Sequence, residues 1–532
     1  VDWKKMRVAD AIALAACTAV VLTGLLLGSG RSVANYGHER DFYDTWAPRA
    51  DTPFHLEHYT HGTNELGYPL LRNHPPGYSA LVAAGNTVTG DSFRTAVILS
   101  AVSAGLLGWI SYLLLVALFD RQRALAGTIL LLIAIVPYSF VASTDLVGAL
   151  AIVLPMWVLL RRPSPGAMDL ALAGVLAGVA YLIRSQAIFL VIGFLVAIPV
   201  LALAGAARAE SPGRSGVRRM ILWRTALVLA GFLAATGPWL FLNWKLNGSP
   251  LYSTAHLQIA VQYWDPLREK TLSAYWRASE RFDSLSQVVL FDPVGFARRY
   301  LKQILLVAPR SIGVDILGYP GFFLFGAGFI FLLVDLNARR FSWLGVLLLG
   351  YLLLGLVDFV DRYFVFLYPV IFFTVSYAAF APFVHDQLRR LRIPTAAGSW
   401  AVVACVALLM VRDVRSETRA YLDAEPRYLL ELTAALAERA EPGDRVMVHE
   451  PHIPYLSGLE MAQVEGETVE AILDNGRRQG VRFYVYDRVE ATEWPGRADL
   501  ADSNDAPAGL RPIYIHEPTG TILYELAPAA GD

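Results

Sequence analysis

Carboxylates gather in the polar segment Arg31 to Tyr78, with Glu39, Asp41 and Asp44 near one end and Arg72-Asn73-His74-Pro75-Pro76-Gly77-Tyr78 near the other. Clustered acids and a Pro-Pro turn held against a membrane read as a reaction chamber rather than a connector. Three further charges interrupt apolar sequence: Asp145 after Ser143-Thr144, Arg184 between Leu182-Ile183 and Ser185-Gln186, and Arg362 before Tyr363. A charge within or just below the hydrocarbon costs at least ~2.5 kcal/mol, so such residues usually face a cavity or a partner. The planar fork of arginine suits phosphate oxygens, so Arg184 and Arg362 point to an anionic head group delivered by a lipid, with His74 as a third candidate. Each residue also has a plainer reading. Asp145 could cap a helix, Arg362 could pair with Asp358 or Asp361, and His74 could make a turn contact.

The elements that must position these residues follow from composition. The 532 residues are 55% hydrophobic and 17% charged, with mean hydropathy +0.44, too apolar for one soluble core. A membrane-crossing helix needs roughly 20 apolar residues. About eleven runs come near that length: Val8 to Leu27, Thr95 to Phe119, Ala124 to Phe140, Thr144 to Leu160, Met168 to Leu182, Ala187 to Ala206, Met220 to Leu242, Gly318 to Val334, Phe341 to Val357, Tyr363 to Val384 and Thr395 to Val411. This predicts a polytopic α-helical membrane protein of the cytoplasmic membrane.

Lys and Arg collect in cytoplasmic loops. Lys4, Lys5 and Arg7 precede the first run, and alternate junctions carry Arg121 and Arg123, Arg161 and Arg162, Arg208 to Arg219, Arg339 and Arg340, and Arg389 to Arg392. The parity closes if Pro76 to Thr89 is a helix lying at the outer surface. The N-terminus is then cytoplasmic, and residues 31–94, 245–317 and everything after Arg412 face outside. The outer loop 245–317, with Tyr263, Trp264, Trp276, Phe282 and Arg298-Arg299-Tyr300, reads as surface helices or as a share of a lipid groove. The expected division is a membrane domain over 1–412 and an extracytoplasmic α/β domain over 413–532. In the latter, helices over Tyr428 to Ala440 and Thr468 to Gln479 alternate with strands over Arg445 to His449 and Val481 to Tyr486, before a hairpin of Ile513 to His516 and Thr521 to Leu526.

Composition and motifs also exclude. Cys17 and Cys405 each sit in an apolar run, which suggests neither a disulfide framework nor a cysteine metal site. A net charge of −1 argues against nucleic acid as a partner. Neither a phosphate-cradling glycine motif nor a zinc ligand pair appears.

Taken in order, several pieces resemble the GT-C class of membrane glycosyltransferases, and within it the protein O-mannosyltransferase and lipid A aminoarabinose transferase group. They are Asp41-Phe42-Tyr43 with Trp46-Ala47, Asn73-His74-Pro75-Pro76-Gly77-Tyr78, Thr144-Asp145, Arg184, Pro238-Trp239 with Asn247-Gly248-Ser249-Pro250, and Arg362-Tyr363 with Pro369. The pattern covers roughly the first four hundred residues.

The resemblance implies an inverting transferase that moves a sugar from a polyprenyl-phosphate donor to a glycan, lipid or protein acceptor at the outer face of the membrane. Phosphate is already a good leaving group, so the paired acid and base of glycoside hydrolysis is not required. One carboxylate takes the acceptor's proton. Asp41 is the expected base on one alignment of the motif and Glu39 on another, with Asp145 orienting the acceptor or sharing the proton. Arg184, Arg362 and His74 are the expected donor-phosphate contacts. His74 stands where aminoarabinose transferases have lysine, and an unperturbed histidine is mostly uncharged at neutral pH. No metal ligand set is evident, although a divalent ion fits some relatives. The rival reading is a transporter or flippase of a lipid-linked or anionic solute, for which the paired repeats typical of transporters are not evident.

Overall fold

The computed structural model describes residues 8–33, 75–208, 214–264, 278–357, 361–448, 452–462, 464, 468–487, 490 and 495–527. The chain forms two compact units, residues 1–30 with 52–421 and residues 31–51 with 422–532.

In the first unit, α1 (Val8–Gly28) is followed by the short α2 (Gly77–Thr89), then α3 (Ser92–Leu118), α4 (Arg121–Ala134), α5 (Asp145–Leu160), α6 (Ala167–Ile183), α7 (Ile188–Arg208) and α8 (Arg214–Asn247). After α9 (Ala255–Trp264), α10 (Leu285–Phe291) and α11 (Pro293–Lys302) come α12 (Ile316–Val334) and α13 (Ala338–Val357). A 3-10 segment, Asp361–Leu367, then leads into α14 (Tyr368–Ala379), α15 (Pro382–Arg390) and α16 (Thr395–Asp423).

Among the described residues, eight stretches are long and apolar enough to cross a membrane. Each overlaps a run expected from the sequence. The three other expected spans are shorter helices. Pro137 lies in a 3-10 turn, Val136–Tyr138, so the expected run from Ala124 to Phe140 is cut after Ala134. α5 has 16 residues and α6 has 17; at 1.5 Å per residue each rises roughly 25 Å, less than the ~30 Å of a bilayer's hydrocarbon. The expected surface helix after Pro76 is α2, at 13 residues too short to span.

Lipid tails are as apolar as leucine, so membrane helices associate largely by close approach at small residues. α6 and α8 show this. A Cβ at Gly178 would lie 3.0 Å from the Phe232 carbonyl, and Cβ atoms at Gly174 and Gly231 would collide with the carbonyls of Val228 and Ala171. Large apolar side chains such as Leu22, Val196, Leu222, Phe323, Ile330 and Leu408 are exposed, as a surface in contact with lipid requires.

One end of the bundle collects guanidinium groups at helix C-termini, where the helix dipole favours cations. Arg339 Nε donates to the Leu160 carbonyl at 3.0 Å, Arg340 Nε to that of Leu118 at 3.1 Å, and Arg123 Nη2 to that of Phe380 at 3.2 Å. Arg121 pairs with Asp10 at 3.2 Å, and Arg161 and Arg162 share Asp169 at 2.5 and 3.2 Å. α5 runs into this end and α6 starts from it, so Asp145 at the start of α5 and Arg184 just after α6 belong to the opposite end.

The second unit is an α/β fold. Its elements are α17 (Tyr428–Ala437), β1 (Arg445–Met447), α18 (His452–Ser457), β2 (Glu460–Ala462), α19 (Val469–Arg478), β3 (Val481–Tyr486), β4 (Leu510–His516) and β5 (Thr521–Leu526). The sheet order is β2-β1-β3-β5-β4, with β1 parallel to β2 and β3, and β5 antiparallel to β3 and β4. Successive side chains of a strand point to opposite faces, and both faces are buried. Val446, Phe483, Val485 and Leu523 pack with Leu429, Leu432, Leu436 and Ile453, whereas Met447, Tyr484, Tyr486 and Tyr524 pack with Val469 and Ile472.

The expected helices, long strands and terminal hairpin are present. β2 and α18 were not anticipated: both are too short to show a periodicity, and β2 lacks the Pro442-Gly443-Asp444 stop that marks the start of the equally short β1. The units divide between residues 421 and 422, inside α16 rather than at the expected boundary of 412/413. The polar stretch after Arg412 continues the helix, so the composition changes before the fold does. Residues 31–33, expected in the membrane domain's outer loop, go with the second unit: the backbone N–H groups of Ser32 and Val33 donate to Glu425 Oε1 at 2.8 and 3.2 Å. Of the two cysteines, both free, Cys17 is buried and Cys405 exposed.

Candidate active site

Thr144 occupies the N-cap position of α5 without a side-chain cap bond, and Asp145 is the first helical residue. The capping reading of Asp145 therefore gives way to a cross-helix one. Its side chain is 0% exposed, and Oδ1 accepts from Arg184 Nη1 at 2.9 Å. The position in the first turn also favours the negative charge. Arg184 terminates α6 in an extended conformation, φ −143° and ψ 117°, which turns its side chain out of the helix direction. Gly148, one turn after Asp145, makes room for it, since a Cβ there would lie 2.7 Å from Arg184 Cδ.

The second arginine joins through a ring. Tyr363, in the 3-10 segment before α14, has the Arg184 guanidinium carbon 4.9 Å from its ring centroid and that of Arg362 5.2 Å away. A tyrosine π-face attracts cations, which lets two like charges share one neighbourhood. Asp145, Gly148, Arg184, Gln186 and Tyr363 line one side of a small cleft, walled by Ala149, Ile152, Phe189, Leu354 and Phe366. A guanidinium held by a carboxylate at one edge of an apolar cleft is suited to meeting an anion's oxygens.

Of the expected site residues, Asp145 and Arg184 meet directly and Arg362 joins them through Tyr363. Glu39, Asp41 and His74 lie outside the described residues, as do Asp44, Asp358 and the side chain of Asp361. Among the described residues no group of three or more His, Cys, Asp and Glu could hold a metal ion; the acid facing the cleft is already paired with arginine. Gly148 and the ring role of Tyr363 were not anticipated. The sequence signal available for Gly148 was a glycine one helical turn after a helix-initiating acid.

Residues 73–240 match the family model of the dolichyl-phosphate-mannose-protein mannosyltransferases, a stretch that includes the Pro-Pro turn, Asp145 and Arg184. No curated protein matches the sequence. Among solved structures, the chain is similar to ArnT from Cupriavidus metallidurans bound to undecaprenyl phosphate, with TM-score 0.57 and 12% identity over 96% of this chain and 98% of that one. It is also similar to the archaeal oligosaccharyltransferase AglB from Archaeoglobus fulgidus in complex with an inhibitory peptide and a dolichol-phosphate, with TM-score 0.56 and 13% identity over 90% of this chain and 70% of that one. A second structure of the Archaeoglobus enzyme, with zinc and sulfate, gives TM-score 0.55 at 14% identity over 89% and 68%. Residues 73–240 thus carry the signature of the dolichyl-phosphate-mannose-protein mannosyltransferases, within a chain whose fold is similar to those of ArnT and AglB.

Proposed function

We propose that this protein transfers a sugar from a polyprenyl-phosphate donor to a hydroxyl-bearing acceptor, with inversion, outside the cytoplasm. The observation that carries the reading is the Asp145–Arg184 pair lining one cleft with Tyr363, whose ring also meets the Arg362 guanidinium, at the bundle end opposite the arginine-capped helix C-termini. Lys and Arg favour the cytoplasmic side, so the cleft end faces out and the second unit is extracytoplasmic. α5 and α6 are short for a full crossing, which supports a cleft recessed below the membrane surface, within reach of a lipid's phosphate. Family match and structural neighbours alike favour a transferase and give the transporter reading no support.

In this reading the acceptor oxygen attacks the anomeric carbon, the new C–O bond forms as the bond to phosphate oxygen breaks, and polyprenyl phosphate leaves with the electron pair. Asp41, or Glu39 in its place, takes the acceptor's proton. Arg184 and Arg362 contact the phosphate and stabilise the charge that builds on it, with His74 as a third contact. Asp145 holds Arg184 in place and so serves the phosphate more than the proton. The sugar, a hexose or a pentose, and the acceptor, a glycan, lipid or protein, are set by parts of the site beyond these residues.

The test uses full-length protein in nanodiscs with a panel of polyprenyl-phosphate sugars, reading release of the polyprenyl phosphate and sugar transfer. Asp41→Asn should abolish turnover while the protein still folds and binds donor. Unchanged turnover in that variant would exclude Asp41 as the base and shift the role to Glu39. Solute flux in proteoliposomes with no donor consumed by the wild type would remove the transferase reading altogether.

A further inference from the structure

Asp145 and Arg184 each follow a short backbone segment, and α2 touches both. At the first residue of α2, a Cβ on Gly77 would fall 2.5 Å from the Leu182 carbonyl oxygen and 2.9 Å from the Ile183 nitrogen. Those are backbone atoms immediately before Arg184, so α2 can lie against them only with glycine there. The next residue, Tyr78, is 0% exposed, and its hydroxyl donates to the Ser143 carbonyl at 3.1 Å. Ser143 stands two residues before Asp145. Its carbonyl also accepts from Ser100 Oγ at 3.4 Å, and its own Oγ accepts the Asp145 N–H at 3.3 Å.

Resting on the lipid-phosphate reading above, we infer that Gly77 and Tyr78 are positioning residues: they clamp the Ser143 and Leu182–Ile183 segments together and so fix the Asp145–Arg184 pair for the donor phosphate. Neither residue lines the cleft. A charge-assisted hydrogen bond weakens steeply with misalignment, so a small shift of either segment reaches the phosphate through Arg184. The two prolines before Gly77 restrict the backbone entering the clamp, and a preorganised clamp lowers the ordering cost of binding.

The experiment measures binding of a short-chain polyprenyl monophosphate, without sugar, to the full chain in nanodiscs, with thermal midpoints recorded in parallel. Tyr78→Phe deletes one hydroxyl and should raise Kd roughly three- to tenfold, the span of one hydrogen bond's net worth. Gly77→Ala should raise it further. Tyr112→Phe is the control, because Tyr112 donates to Asp10 Oδ1 at 2.5 Å at the other end of the bundle; it should lower the thermal midpoint and leave Kd alone. Arg184→Ala sets the reference for loss of the phosphate contact. If Arg184→Ala weakens binding while Tyr78→Phe and Gly77→Ala bind as wild type, the clamp is overturned and the phosphate site stands. If Tyr112→Phe weakens binding as much as Tyr78→Phe, the effect is general destabilisation and the clamp is again overturned. An unchanged Kd in Arg184→Ala overturns the phosphate reading and the clamp with it.

Discussion

At the residue scale, Asp145 and Arg184 form an ion pair, with the carboxylate fully buried. Removing one partner of a buried pair costs about 3–5 kcal/mol, since the remaining charge is stranded. Arg184 keeps 13% side-chain exposure, so the expected loss for Asp145→Ala is at the low end, about 3 kcal/mol. The double variant Asp145→Ala/Arg184→Ala should lose less than the sum of the singles, because neither charge is left alone. Thermal or denaturant unfolding of the four proteins closes the cycle; additive losses would show that the 2.9 Å contact contributes little. Gly148→Ala gives a second residue-level prediction. Its new methyl meets Arg184 Cδ, so donor KM should rise several-fold with little change in stability, and an unaltered KM would mean Arg184 does not hold the donor from its present rotamer. The identities of Asp145, Arg184 and Arg362 were legible because each breaks an apolar run. That Asp145 is spoken for by Arg184 was not, since 38 residues of intervening chain lie between them and nothing local encodes the pairing.

At the scale of elements, two glycine-lined helices, α6 and α8, set where the end of α6 falls, and with it Arg184. Overfilling a close backbone contact costs typically about 1–3 kcal/mol. Gly231→Ala, which points a methyl at the Ala171 carbonyl, should lower stability by that much. Gly345→Ala on α13, where nothing lies within 4 Å, should be neutral or stabilise by up to ~1 kcal/mol through helix propensity. Equal thermal midpoints for the two variants would contradict the packing argument. The long helices were readable from hydropathy because burial in lipid or in the bundle demands the same side chains along their whole length. Their ends were less readable. Pro137 divides one expected span, a local stop that mean hydropathy over the run does not register, whereas α16 runs on through polar sequence and β2 is too short to leave a pattern.

At the scale of the whole molecule, the chain returns to its own beginning when it builds the second unit. Glu425 Oε1 accepts the N–H groups of Ser32 and Val33, and Oε2 accepts from Arg427 Nε at 2.9 Å, while Val33 is buried among Leu429, Leu432 and Leu436. Burial alone would push the Glu425 carboxyl up, but the bonds from Ser32, Arg427 and Val33, with the nearby Arg31 charge, hold it below the ordinary glutamate range. The sign of the linkage follows. A carboxyl depressed in the folded state adds stability above its unfolded value, near 4.5, and that contribution is lost as pH falls from there through the folded value. Hydrogen bonds to a charged group are worth about 1.5–3 kcal/mol. Glu425→Gln should therefore be less stable than wild type at pH 7 by about 2 kcal/mol and should lose less on going to pH 4. The measurement is the thermal onset of protease nicking within residues 422–526 of the full chain at the two pH values. Parallel losses in both proteins would assign the acid sensitivity elsewhere, with Glu525 between Arg482 and Arg511 the next group to test, since those arginines hold its carboxyl down against its burial.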